Sequence, residues 1–444
     1  MKRCPECRRD YFDDSLVYCL DDGTRLLDGP GRLLGSAEDP TANFAEAATL
    51  IDRQTAADGT ETRRFNAPTA GRPAWRLPVL VSGLVIGAVL VIAGLYWLRP
   101  QVAGVDNKAV SQTAYDNYVR AKVLVESENK DDNASAIKLL EQTVNEEPRY
   151  GAAWATLARA YNVRAFFFAP SADEKKQLTE NAKVAVEKAF TIDPNLADAH
   201  LARGVLLWSH AGRFQHEQAV QSYKRAIDLD PKLGEAHHQL ALVYFHIGLF
   251  DKAEAEIDKA LEINPAHSLA RYRYAVIDMY RGKYDEAFKV SQSTPLDNSP
   301  SLHESQEGMI LFRLGRIDEA EKTIDAYLAK YPQDEGGIAT SVKAMILAKR
   351  GRADEAVAAI ARAEELGKDF GHFHHTAYNI ACVYAALNKP DKAVAYLQMA
   401  ADDGFPCYPL FERDELLKNI NHDPQYVALL ARLKEQWQRY NATL

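Results

Sequence analysis

"GEAHHQLALVYFHIGLFDKAEAEIDKALEINP", residues 234–265, decides how most of this chain is read. Leu240, Ala241 and Tyr244 fall at helical spacing and share one face of a first helix. Gly248 and Phe250 follow at a turn, where glycine accepts the positive φ that ends a helix. Ala253, Ile257 and Ala260 mark a second helix, and Pro265 closes it because proline cannot continue one. Small residues let the two helices approach, and large ones a turn away fill the groove between them. One such pair leaves an apolar face uncovered, so the pattern predicts further copies stacked against it.

Copies lie on both sides. Upstream are Tyr118, Ala121, Ala136, Leu140 and Pro148; then Trp154, Leu157, Ala158 and Tyr161 with Ala182, Val186, Ala189 and Pro194; then Gly204 and Leu207 with Ala219, Tyr223, Ala226 and Pro231. Downstream come Ala275, Gly282, Tyr284 and Ala287, in a unit cut short near Pro295, and Gly308, Leu311, Gly315, Ile317, Ala320, Ile324 and Pro332. Ala344, Leu347, Gly351, Ala356, Ile360 and Ala363 follow, and Ile380, Ala381, Tyr384, Ala393, Leu397 and Ala400 end the series. This pattern resembles the 34-residue tetratricopeptide repeat, W-x2-L-G-x2-Y…A-x3-F…A…P. The resemblance implies a mainly α solenoid of about eight helix pairs over residues 112–404, coiled into a right-handed superhelix with a concave face.

Two stretches depart from the repeat. The second unit is lengthened and carries "FFFAPSADE", Phe166 to Glu174, in its helix-to-helix connection. The three phenylalanines are read as tucked against the long second helix, the other reading being a contact for a partner or a membrane. Residues 405–444 are not a repeat; Leu416, Leu417, Ile420, Tyr426, Leu429, Leu430 and Leu433 predict two capping helices. With its "YPLFERDELL…DPQYVALLARL" ending, the array is similar to the C-terminal repeat regions of bacterial membrane-anchored serine/threonine kinases, adenylate cyclases and winged-helix regulators. There the repeats act as sensor or interaction modules. No Gly-rich phosphate loop, P-loop lysine or H-R-D catalytic loop accompanies them here.

The repeat resemblance also implies which side chains line the concave face. They are Arg159 and Asn162; Leu201, Val205 and Trp208; His238, Leu242 and Phe245; Tyr272, Val276 and Met279; Met309 and Phe312; and Met345. The face is apolar and aromatic in the middle, which suits an amphipathic helix or extended peptide of a protein partner. The Lys-then-Asn pair with which some such repeats clamp a terminal carboxylate is missing. "HFHH", with His372, His374 and His375, precedes a helix and is read as a solvated loop rather than a metal site. No nucleophile stands beside a plausible base, so the chain is not read as an enzyme, and no small-molecule substrate is evident.

Before the array runs "LPVLVSGLVIGAVLVIAGLYWL", residues 77–98, without a charge. Its 22 residues would span about 33 Å as a helix, matching a hydrocarbon core of about 30 Å. Trp75, Tyr96 and Trp97 sit at its ends, where amphipathic rings prefer the interface. Arg63, Arg64, Arg72 and Arg76 precede it, against Arg99 and Lys108 after it. That bias predicts a single-pass protein of the bacterial inner (cytoplasmic) membrane, with a cytoplasmic N-terminus and an extracytoplasmic array. A formal net charge of −9 argues against nucleic-acid binding. Residues 28–76 are read as a disordered linker and 99–111 as a short one. The first linker carries Thr41, Thr49, Thr55, Thr60, Thr62 and Thr69, candidate sites for a serine/threonine kinase.

The N-terminal stretch "KRCPECRRDYFDDSLVYCLDDGTRLL" opens on a C-x2-C knuckle, Cys4 and Cys7, followed by Cys19 and Asp22. It resembles a small zinc ribbon of the "CPxC…FCxxCG" kind, with Asp22 where the fourth cysteine stands. Zinc accepts carboxylate oxygen at about 2.0–2.2 Å, so Zn(2+) held by Cys4, Cys7, Cys19 and Asp22 is chemically permissible. A β domain confined to residues 1–27 has too little core to fold without its metal. The chain is therefore read as a membrane-anchored interaction or scaffold protein. The second reading is a signalling component without an effector, tied to a serine/threonine-kinase pathway through the linker.

Overall fold

The computed structural model describes residues 110–444, apart from 127–128, 170, 297–299 and 369, together with Lys2–Arg3, Asp10–Tyr11 and Leu27–Asp28. The four zinc-ribbon ligands, the threonine-bearing linker and the apolar run 77–98 lie outside these residues. Among the described residues no helix is long and apolar enough to cross a membrane. At the N-terminus, β1 (Lys2–Arg3) pairs antiparallel with β2 (Asp10–Tyr11), Lys2 opposite Tyr11, and β3 (Leu27–Asp28) lies on the other side of β1.

The rest is helical. Eight pairs follow one another among the described residues: α1 (Gln112–Glu126) with α2 (Lys130–Glu146), α3 (Gly151–Val163) with α4 (Ala172–Ile192), α5 (Ala197–Leu207) with α6 (His216–Leu229), and α7 (Gly234–His246) with α8 (Phe250–Ile263). Then come α9 (Ser268–Tyr280) with α10 (Tyr284–Ser293), α11 (Pro300–Arg313) with α12 (Ile317–Lys330), α13 (Ile338–Lys349) with α14 (Ala353–Gly367), and α15 (Phe373–Ala386) with α16 (Pro390–Asp402). A short α17 (Tyr408–Arg413), a 3-10 turn (Glu415–Ile420) and α18 (Pro424–Thr443) complete the chain. Each pair packs internally, and first helices of successive pairs touch, α3 against α5 and α13 against α15.

The repeated residues do what their spacing demands. Ala136, Ala182, Ala219, Ala253, Ala287, Ala320, Ala356 and Ala393, one per second helix, are all fully buried where the pair closes. Gly204 plays the matching part in α5: a Cβ there would stand 2.3 Å from Cε1 of the fully buried Tyr223. The turn within α7–α8 is closed by Gly248 at φ 77°, whose N–H donates to the Phe245 carbonyl (3.1 Å), while the Leu249 N–H donates to Tyr244 (2.8 Å). This is the Schellman arrangement, which satisfies two orphan carbonyls of the helix end. It recurs at Gly282, Gly315 and Gly351, and in the last pair Asn388 takes the left-handed position.

The C-terminal segment docks on the array. Trp437 Nε1 donates to the Gly248 carbonyl (3.1 Å), and Arg439 pairs with Glu217 (3.3 Å). Asp414, between α17 and the 3-10 turn, is ion-paired with Arg313 of α11, each carboxylate oxygen 2.7 Å from Nη1. It also accepts from Tyr378 and from the Leu416 N–H (2.9 Å). Burial pushes the Asp414 carboxyl up, but Arg313 outweighs it and holds the group below its ordinary value, ionised.

Candidate functional site

The superhelix coils until its second pair meets its eighth. At the end of α3 the chain runs through a π-helical turn, Arg164–Phe168, which holds the three phenylalanines. Phe166 packs edge-on against His372 (ring centroids 4.6 Å apart) and Phe167 against Phe370 (6.1 Å). A Cβ on Gly371 would stand 2.6 Å from the Phe166 ring, so the absence of a side chain there lets the two segments touch. A second tie lies beside it, His216 Nε2 to the Gly404 carbonyl at 3.1 Å. Phe166 and Phe167 thus reach across the superhelix, while Phe168 packs against Phe167.

This closure shapes a cavity of about 450 Å³ on the concave side. Its apolar wall includes the three phenylalanines, Val205, Trp208, Leu242, Phe245 and Val276. Polar groups line it as well, among them Asn162, Gln239, Arg273, Gln306 and Glu335. The indole N–H of Trp208 is buried and has no hydrogen-bond partner. Of the residues expected on the concave face, Asn162, Val205, Trp208, Leu242, Phe245 and Val276 are on this wall, and Met279 and Met309 border a smaller adjoining pocket. Leu201, Tyr272, Phe312 and Met345 are buried in packing between helices.

The remaining two, Arg159 and His238, are taken up by a buried ionic network. Arg159 Nη2 meets Glu235 Oε1 at 2.9 Å, and His238 and His267 face Glu235 Oε2 at 3.5 and 3.7 Å. Burial pushes the Glu235 carboxyl up, yet Arg159 and the histidines pull it well below the usual range. Burial pulls His238 down to about 4, while His267, also lowered by burial, is held above its ordinary value by Glu235. Of that histidine pair, His267 is the one that takes a proton first as pH falls.

"HFHH" is not a solvated loop. Phe373 begins α15, His374 is fully buried, and His372 and His375 line the cavity. Around them stands His246 from the end of α7, and one nitrogen from each of the four rings lies within 4.8 Å of the others. His246 Nε2 is 3.2 Å from His375 Nε2, and His372 Nδ1 is 3.1 Å from His374 Nε2. Burial, with repulsion from neighbouring imidazoles, holds His246, His372 and His375 well below the ordinary histidine value, so these three are neutral at pH 7. Spacing misplaced this segment because its partner, His246, lies 129 residues away.

Family models match four stretches of this geometry: the TPR repeat over residues 215–248, and the tetratricopeptide repeat over 234–267, 306–369 and 374–401. The matched segments are tetratricopeptide repeats. Similar curated proteins are Anaphase-promoting complex subunit 3 of Schizosaccharomyces pombe, 23% identical over 197 residues, and Hsp70-Hsp90 organizing protein 2 of Arabidopsis thaliana, 25% identical over 130 residues. The first match covers 44% of this chain and 27% of that relative; the second covers 29% and 22%. The chain thus spans about a quarter of the length of the curated relatives it matches. In fold, the tetratricopeptide array is similar to the crystal structure of a Rap protein complexed with Competence and Sporulation Factor. That match has a TM-score of 0.56 and 14% identity, and covers 74% of this chain and 99% of that one.

Proposed function

We propose that this chain is a membrane-anchored interaction protein whose tetratricopeptide array takes a short segment of a protein partner into its concave cavity. The observation that carries the reading is the cavity, about 450 Å³, walled by aromatic side chains. Its volume falls in the range of ligand sites, about 300–1,000 Å³, and its mix of apolar wall and few polar groups is that of a recognition pocket. An extended segment would set its apolar side chains against the phenylalanines while its polar backbone meets Asn162, Gln239 and Gln306. A photo-crosslinking residue at Gln306 captures the partner in cells, and filling the cavity with Val276→Trp abolishes the adduct. An adduct insensitive to Val276→Trp would overturn the cavity as the binding site.

The anchor is the apolar run 77–98, with the array on the extracytoplasmic side. A fluorescent or enzymatic reporter fused after Leu444 should be active outside the cytoplasm; activity only inside reverses the topology. On the other side, Zn(2+) is held by Cys4, Cys7, Cys19 and Asp22, and Asp22→Ala should weaken zinc retention in native mass spectrometry. The six linker threonines support the second reading, a signalling component whose linker is phosphorylated. Phosphopeptide mapping of the purified chain distinguishes that from a plain tether.

A further inference from the structure

We propose that His246, His372, His374 and His375 form a second metal site, a four-imidazole centre for a divalent ion of zinc's class, at the edge of the cavity. The donor set is the first argument. Imidazole nitrogen suits Zn(2+), Cu(2+), Ni(2+) and Co(2+), and four of them match the coordination number of a closed zinc site. The spacing is the second. Tetrahedral ligation at about 2.0–2.1 Å puts nitrogens about 3.4 Å apart. Two pairs here stand at 3.2 and 3.1 Å, and all four nitrogens fall within 4.8 Å. Closure to a tetrahedron needs side-chain adjustments of the order of 1 Å.

The surroundings of the rings are the third argument. A metal-bound histidine commonly gives its other N–H to a carbonyl, hydroxyl or carboxylate, which fixes its tautomer. His246 Nδ1 donates to the Leu242 carbonyl at 2.7 Å, leaving the Nε2 lone pair toward the cluster. His375 Nδ1 faces the Tyr280 hydroxyl at 3.1 Å. His374 Nδ1, fully buried and without a hydrogen-bond partner, faces Asp403 Oδ2 at 3.6 Å. Two of the four rings therefore already carry the outer contact that a ligand needs, and Asp403 stands within a small adjustment of supplying a third. The field of Arg273 also reaches His372 and His375, and Asp403 is the carboxylate beside His374.

Without a metal, one imidazole proton closes each nitrogen pair. His246 Nδ1 already donates to Leu242, so His375 Nε2–H donates to His246 Nε2; the tautomer that turns His374 Nδ1–H toward Asp403 has His372 Nδ1–H donating to His374 Nε2. Ligation moves each of those protons to the other nitrogen of its own ring: to His375 Nδ1, where it meets the Tyr280 hydroxyl, and to His372 Nε2. The rearrangement is internal to each ring and needs no base from outside the cluster. The cavity, lined by His246, His372 and His375, supplies the entry path.

The experiment uses the full chain with Cys4, Cys7 and Cys19 changed to serine, which removes the N-terminal site and its readout. Zn(2+) added from a metal buffer should bind at one equivalent and raise the thermal midpoint. Co(2+) in its place should give visible d–d bands without the near-ultraviolet thiolate band. His372→Gln and His374→Gln should each weaken zinc binding at least 10-fold, and Asp403→Asn by about 10-fold, the usual cost of losing such an outer contact. The triple-serine chain binding no zinc overturns the proposal, as does binding unchanged by both histidine variants. Should a histidine variant fail to fold, the stoichiometry and cobalt spectrum of the triple-serine chain decide alone. The partner-binding reading is tested separately by the Val276→Trp crosslink and can fail without affecting this one.

Discussion

Asp414→Ala is expected to destabilise the array by about 3–5 kcal/mol, because it strands a buried guanidinium. Arg313 and Asp414 have side-chain exposures of 8% and 1%. Arg313 Nη1 lies 2.7 Å from both carboxylate oxygens, and Tyr378 also donates to the carboxylate. The variant loses the tie between α11, α15 and the C-terminal segment together. Urea unfolding should show a lowered midpoint, and limited proteolysis should cut first within residues 405–444. The double change Arg313→Met with Asp414→Leu should recover much of the loss, since two matched apolar groups leave no charge unpaired. A single variant within about 1 kcal/mol of wild type would show that water reaches the pair and screens it.

The second large effect is acid unfolding above the carboxylate range. His216 is held down to about 4 by burial, and His246, His372 and His375 lie well below the ordinary value for the same reason. In the unfolded chain these imidazoles titrate near pH 6.5. Above that pH both states are neutral there and stability is full. As pH falls below 6.5 the unfolded chain takes protons that the folded one refuses, and stability drops by about 1.4 kcal/mol per pH unit for each such group. The drop continues until the lowered folded values are reached. His238, also lowered, adds to this loss, whereas His267, which is raised, acts only above pH 6.5 and offsets almost nothing below it. Glu126 and Glu335, raised by burial, pull weakly the other way at the acid end. Unfolding at pH 5.5 should therefore take up about three to four protons net, read from the slope of unfolding free energy against pH. A stability curve flat between pH 7 and 5 would refute the neutral, water-excluded histidines. Saturating zinc should shift the acid limb further down, because the metal and protons compete for the same nitrogens.

The repeats were legible because every pair makes the same local demand. A fully buried alanine per second helix and a glycine at the turn recur at fixed spacing, and neither needs knowledge of distant partners. Part of the cavity wall could also be read by position, since Val205, Leu242 and Val276 sit on first helices facing inward. The rest depends on how far the superhelix turns. Phe166 finds Gly371 only after six pairs have added their rotation, and His246 finds His375 after four. Spacing within "HFHH" carries no trace of that meeting, which is why the segment reads as loop. Arg159 and His238 occupy concave-face positions, but Glu235 captures both, a pairing no periodicity announces.

The contact of Phe166 with Gly371 also changes the statistical mechanics of the array. An open solenoid behaves as a linear chain of coupled units, able to fray one unit at a time from either end. Joining the second unit to the eighth turns the intervening stretch into something closer to a ring. A unit lost anywhere along it also loosens the clasp, so the penalty for the first defect is larger than for later ones. Such a body stores less elastic slack than an open spring of the same length. Whatever enters its lumen must either slip through the mouth as it stands or unfasten the phenylalanine clasp first, and hydrogen exchange at α15 would register the second route.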